Sequence, residues 1–326
     1  MVAAGVRWIG RVDLTDPAGP RFSWSGTGFV ARFRGTSLGA RFANHGAFIF
    51  KAVVDGVAQA AFTAGNGRCA LATALAAGEH TVELYRQTEG PQGTSQLLAL
   101  TVGDGALLDP PPAPPRLIEV VGDSISCGYG ILGTLGDTDC YATESHWDAY
   151  PSVLARALGA EVSTIAASGR GVVFNYRGDT HDLVPAIYER TLAGSPSPVW
   201  DFSTEPQAVV INLGTNDFGN GKGDPGPPFA AAYLALVEVI RSHYPRALVL
   251  CTIGPITSAA ESAAIHDHIR TVLRARAAAG DTQIALFDQI APQTRDKLAC
   301  AGHPNAAENA LMAQQLAVEL RARLGW

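Results

Sequence analysis

The sequence predicts two domains of different class, an N-terminal β-sandwich of jelly-roll type and then an α/β layer on a five-stranded parallel sheet. Three observations carry this prediction. Residues 1–108 read as short alternating strands divided by turn signals. Residues 109–116, DPPPAPPR, hold five prolines. Beyond them, apolar strand-like runs alternate with helical patterns, which is the grammar of a doubly wound parallel layer.

In the first domain, GFVARF sets Phe29, Ala31 and Phe33 on one face and Val30, Arg32 and Arg34 on the other. SLGARF repeats the pattern with Leu38, Ala40 and Phe42. Asp55-Gly56 sits between two strand-like runs, a strong signal for a two-residue hairpin turn. HTVELYRQ alternates Val82 and Leu84 against Thr81, Glu83 and Tyr85, and Asp104-Gly105 marks another turn. The proline segment lacks backbone donors and stays extended, so the domains are placed at 1–108 and 117–326 with 109–116 as linker.

The strands of the second domain are expected at 116–121, 161–168, 208–214, 247–254 and 282–288. They are apolar on both faces, as parallel strands covered by helices must be. Helical patterns lie between and after them: WDAYPSVLARALG, LVPAIYERTL, FAAAYLALVEVIRSHYP, AAESAAIHDHIRTVLRARAAAG and AENALMAQQLAVELRARLG.

The 326 residues are 47% hydrophobic with a net charge of −6, which suits a globular chain and argues against a nucleic-acid partner. No polybasic run marks a membrane surface, and no apolar stretch reaches the roughly 18 residues of a membrane helix. MVAAGVRWIGRVDL does not read as a signal peptide, so localisation is left open on these residues, as is oligomeric state. The five cysteines show no Cys-x-x-Cys pair for zinc. Cys127 and Cys140 flank one loop and are the candidate disulfide if the protein is exported.

Ligands of an open parallel sheet bind outside the carboxyl ends of its strands. Strand one ends in Gly122-Asp123-Ser124, strand two in Ser168-Gly169-Arg170-Gly171 and strand three in Gly214-Thr215-Asn216-Asp217. The loop after strand five carries Cys300-Ala301-Gly302-His303-Pro304-Asn305. This set fits acyl transfer. A serine hydroxyl, Ser124, needs a base to take its proton, and a neutral His303 is one. The oxyanion that forms needs preorganised donors, for which the Ser124 N–H, the Gly169 N–H and the Asn216 amide are the candidates; one such donor contributes about 3–4 kcal/mol.

These four residues resemble the four blocks of the SGNH (GDSL) hydrolases. GDSISCGYG, TIAASGRGVVFNY, VINLGTNDF and GHPN, with FSWSGTGFVARFRGTSLGARF upstream, are similar to carbohydrate esterase family two. The resemblance implies a flavodoxin-like hydrolase domain behind a β-sandwich. It implies removal of acetyl groups from carbohydrates such as xylan, glucomannan or smaller sugar acetates, without metal or organic cofactor, and it suggests secretion. Ser124 is then the nucleophile, His303 the base, and Gly169 and Asn216 oxyanion donors.

One feature departs from that pattern. The position three before the histidine, usually Asp, is Cys300, and residue 301 is Ala. The expectation is a Ser-His dyad whose imidazole is oriented by a main-chain carbonyl near 300 or 301, with Asp288 and Asp296 as distant alternatives. Activity is expected to rise through about pH 6–7, following an ordinary histidine.

Tyr176 and Phe218, nearest in sequence to the donors, are candidate sugar-ring contacts, and Asp217 is a further substrate-binding candidate whose competing role is loop hydrogen bonding. His146 and His181, in loops at the active edge, read as solvated residues in preference to substrate contacts, and Trp200 as structural. His266 and His268, two apart on a helix, share no face for a metal. Two rival functions stand beside the esterase: a general short-chain esterase or thioesterase on the same fold, and a carbohydrate-binding protein with a weak site.

Overall fold

The computed structural model describes residues 5–290 and 292–326. They form two compact units. The first runs through Pro114 and takes in Arg190–Trp200; the second comprises Pro115–Glu189 and Asp201–Trp326.

The first unit contains two antiparallel sheets. One is ordered Arg7–Ile9, Gly28–Gly35, Gly78–Arg86, Phe48–Val54 and Val57–Ala58, with Ala106–Leu108 and Phe62–Ala64 attached. The other is ordered Arg21–Phe22, Ser95–Gly103, Ser37–Phe42 and Gly67–Ala72. Phe29, Phe33, Phe50, Val82 and Leu84 from the first sheet share a core with Phe22, Phe42 and Leu97 from the second. Each such buried side chain contributes roughly 1.5–3 kcal/mol. On the opposite side of the alternating strand, Arg32 and Arg34 both pair with Glu79 in the open. Asp55 and Gly56 have φ of 49° and 80°, the two positive values that a tight hairpin turn requires, and Val54 pairs with Val57 across it. Asp104 also turns with positive φ, but Ala106–Leu108 pairs with Gly28–Gly35 and so changes sheets instead of folding back.

One expected element differs. The helix predicted over LVPAIYERTL covers only Val184–Ile187. The chain then forms a hairpin, Arg190–Leu192 against Ser195–Val199, that belongs to the first unit. Gly194, Pro196 and Pro198 deny a helix its continuation. The Trp24 indole donates to the Thr191 carbonyl at 3.0 Å, and the Ala193 N–H donates to Ser23 Oγ at 2.9 Å.

The second unit carries five parallel strands: Leu117–Gly122, Glu161–Ala166, Ala208–Asn212, Leu248–Thr252 and Ile284–Leu286. In chain order they lie second, first, third, fourth, fifth across the sheet. Ile118, Val120, Val210 and Leu250 are fully buried against Leu154, Leu158, Met312 and Leu316 of the helices Tyr150–Leu158 and Ala306–Leu324. The helices Pro227–His243 and Ala259–Ala278 bury Tyr233, Val237, Ile265 and Ile269. No described helix is long and apolar enough to cross a membrane.

Candidate active site

Register decides which loops meet. Gly122 pairs with Ala166 on one side and Asn212 on the other, so the first three strands end level. Ser124, Gly169 and Asn216 follow those ends by two, three and four residues. They meet His303 in a cleft of about 560 Å³ that Tyr129, Tyr141, Tyr176 and Arg177 also line.

Ser124 opens a one-turn helix, Ser124–Cys127, capped by Asp123, whose Oδ1 accepts from the Ile125 N–H at 3.0 Å. The cap fixes the backbone turn that carries Ser124 at the sheet edge. Ser124 Oγ lies 2.8 Å from Nε2 of His303. His303 follows the 3-10 turn Cys300–Gly302 and precedes Pro304, after which Asn305 caps the last helix.

The other imidazole nitrogen, Nδ1, is buried and makes no hydrogen bond of full geometry. Burial pushes the His303 pKa below the ordinary histidine value; the nearby carbonyls of Cys300 and Ala301 pull it upward without prevailing. Among the described residues no carboxylate hydrogen-bonds to His303. Asp288 is exposed and pairs with Arg270, and Asp296 is exposed. The Tyr129 ring stands edge-on to the imidazole at 5.0 Å and to Tyr141 at 4.8 Å.

Gly169 has φ of +77°, and this left-handed backbone is what demands glycine there. Space is not the constraint, because a Cβ would meet only Tyr176, at 3.8 Å. The Asn216 Nδ2 donates to the Arg170 carbonyl at 2.8 Å and more loosely to Asp123 Oδ2 at 3.2 Å. The asparagine therefore joins the turns after strands one, two and three.

The three substrate-binding candidates fare differently. Tyr176 lines the cleft and is 52% exposed. Asp217 is fully buried outside the cleft lining, and its carboxylate accepts from the N–H groups of Val172, Val173 and Phe174 at 2.7–3.0 Å. Burial pushes its pKa above the usual carboxylate value despite those bonds. Phe218 is buried as well, edge-on to Phe229 at 5.2 Å. Both adjoin Asn216 in sequence, but consecutive residues of the short helix Thr215–Phe218 point in different directions.

Two further expectations are corrected. The disulfide joins Cys140 to Cys300, and Cys127 is buried in the turn that Ser124 opens, outside any bridge. His146 is not solvated; it is 1% exposed, with Nε2 2.9 Å from Thr164 Oγ1 and Nδ1 2.8 Å from Ser152 Oγ, and burial pushes its pKa down to about 3. His181 is exposed as expected. The sequence reading did not single out Arg177 and Glu261 on the cleft wall, nor Asn175, whose side chain ties the loop to Gly171, Asp179 and His181. An asparagine four residues from a Gly-x-Gly turn was the available signal for the last.

Residues 8–112 match the family described as the carbohydrate esterase 2 N-terminal domain, and residues 120–311 match the GDSL-like lipase/acylhydrolase family. The cellulase/esterase CelE of Acetivibrio thermocellus is 34% identical over 99% of this chain, which spans only 40% of that protein's length. An acetylxylan esterase/glucomannan deacetylase of Cellvibrio japonicus is 27% identical over 97% of this chain and 90% of its own length. A solved structure of a family two carbohydrate esterase from Clostridium thermocellum, in complex with cellohexaose, superposes with a TM-score of 0.94. It shares 34% identity and is covered over its full length by 99% of this chain.

Proposed function

The chain belongs to the GDSL-like acylhydrolases and, within them, to family two of the carbohydrate esterases, and on that premise we propose that it removes O-acetyl groups from carbohydrate hydroxyls through an acyl-enzyme on Ser124. The observation that carries the reading is the 2.8 Å contact between Ser124 Oγ and His303 Nε2 at the carboxyl edge of the sheet.

In this reading His303 Nε2 takes the hydroxyl proton as Ser124 attacks the acetyl carbonyl. The oxyanion draws on the Ser124 and Gly169 N–H groups and on Asn216 Nδ2, whose looser contact with Asp123 is the one it shares. Protonated His303 then hands its proton to the departing sugar oxygen. In the second half the same nitrogen activates water against the acyl-serine. The dyad has main-chain carbonyls near Nδ1 in place of an acid, and a buried imidazole stays neutral between turnovers. Tyr176 offers an exposed ring for the C–H face of a sugar.

The names of the Cellvibrio relatives support xylan and glucomannan acetates as the substrate class. The test is acetate release from acetylated xylan, acetylated glucomannan and a monosaccharide acetate by wild type and Ser124→Ala. Release that vanishes in the variant supports the reading. Turnover of an aryl acetate alone keeps the esterase and discards the carbohydrate substrate; no turnover of either discards both.

A further inference from the structure

Cys300 stands three residues before His303, where the sequence provides no acid, and its sulfur is bonded to Cys140, 160 residues away. The surrounding chain is shaped to this bridge. The Cys300 N–H donates to the carbonyl of Gly130, six residues beyond the nucleophile, at 3.3 Å. A Cβ at Gly130 would lie 2.8 Å from Cys300 Cβ and 3.1 Å from Cys140 Cβ; one at Gly133 would lie 3.0 Å from Cys300 Cβ. Two glycines thus let the nucleophile's own loop close directly onto the bridge.

The same bridge is linked to His303 by two routes. Through Cys300 it fixes the turn that returns to His303, in which the His303 N–H donates to the Cys300 carbonyl at 3.1 Å and the Ala299 N–H to the His303 carbonyl at 2.7 Å. Within that turn Ala301 is held at φ 52°, a left-handed conformation unfavourable for a non-glycine residue. Through Cys140 it fixes Tyr141, whose ring packs edge-on to Tyr129, which in turn packs on His303.

We propose that the Cys140–Cys300 disulfide is the positioning element of the general base: a covalent tie takes over the orienting role that a carboxylate has elsewhere, holding His303 with Nε2 on Ser124. This inference rests on the esterase reading of those two residues. A displacement of about 1 Å at a reacting group can cost on the order of a hundredfold in rate. Loss of the bridge leaves the Gly130 and turn hydrogen bonds in place, so a partial effect is expected.

The test compares oxidised wild type, Cys140→Ala, and wild type reduced with dithiothreitol, all on an aryl acetate well below their melting temperatures. In the reduction each bridge sulfur gains one electron and one proton, and the dithiol, giving up two of each, closes to its own cyclic disulfide. Expected are a kcat about 10–100-fold lower with KM nearly unchanged, and recovery on reoxidation. Near-ultraviolet circular dichroism of the reduced wild type carries the comparison if Cys140→Ala does not fold. An unchanged kcat with a lower melting temperature, unfolding on reduction, or five thiols in the unreduced, denatured chain in place of the three of Cys69, Cys127 and Cys251 each overturns the proposal. Failure of the esterase reading shows separately, as turnover by oxidised Ser124→Ala or as no turnover by oxidised wild type.

Discussion

Ser124 Oγ and His303 Nε2 lie 2.8 Å apart although 179 residues separate them in the chain. Residues that act as a unit lose their effect together. Ser124→Ala and His303→Ala are each expected to lower kcat on an aryl acetate by at least about 10⁴-fold, and the double variant by no more than the worse single one. Additive losses would mean that the two do not share a proton.

The acid limb of activity follows from the burial of His303. A base must be neutral, and a pKa pushed below the ordinary value keeps it neutral to lower pH. The midpoint of kcat/KM against pH is therefore expected below 6.5, lower than the rise through about pH 6–7 that the sequence suggested. A measured midpoint at or above pH 7 would contradict a desolvated imidazole.

Asp217 is buried behind the loop that leads from Gly169 to Tyr176. Its carboxylate gathers the N–H groups of Val172, Val173 and Phe174 and so shapes the loop between Gly169 and Tyr176. Asp217→Asn exchanges one accepting oxygen for a donor that faces those donors. A fall of about 10–100-fold in kcat/KM is expected together with a lower urea midpoint. Unchanged kinetics would separate that loop from the oxyanion site.

Tyr176→Ala addresses the carbohydrate directly. A ring contact of about 0.5–1.5 kcal/mol corresponds to roughly a 2–12-fold rise in KM for an acetylated oligosaccharide, with an aryl acetate little affected. Equal effects on both substrates would remove the residue from a sugar subsite.

His146 makes the fold acid-sensitive. Its folded-state pKa is about 3, whereas an unfolded chain takes up the proton near 6.5, so the stability this neutral group contributes is present above pH 6.5 and is lost as pH falls towards 3. His146→Gln is expected to be less stable at pH 7, for want of the ring's fit to Thr164 and Ser152, yet to lose less on acidification than wild type. Urea midpoints at pH 7 and pH 4.5 measure both effects.

The five strands and the edge where Ser124, Gly169, Asn216 and His303 converge were legible because period and strand-end position are local signals. The partner of Cys300 was not, because sequence distance says nothing about which of four cysteines a tertiary fold brings within bonding range. The burial of His146 was hidden for a related reason: its two hydrogen-bond partners come from the neighbouring helix and from the second strand. The contacts of Asp217 and Phe218 were not legible either, because the direction of a side chain on a single helical turn decides what it meets.

The sandwich completes itself with a hairpin cut from the middle of the α/β sequence. The polypeptide therefore enters it twice, and severing the chain at the proline segment would strip Trp24 and Ser23 of their partners at Thr191 and Ala193. The catalytic layer is not a portable cassette. A cut at the proline segment leaves one strand pair of the first unit on the wrong fragment, so a recombination joint placed there divides a folding unit.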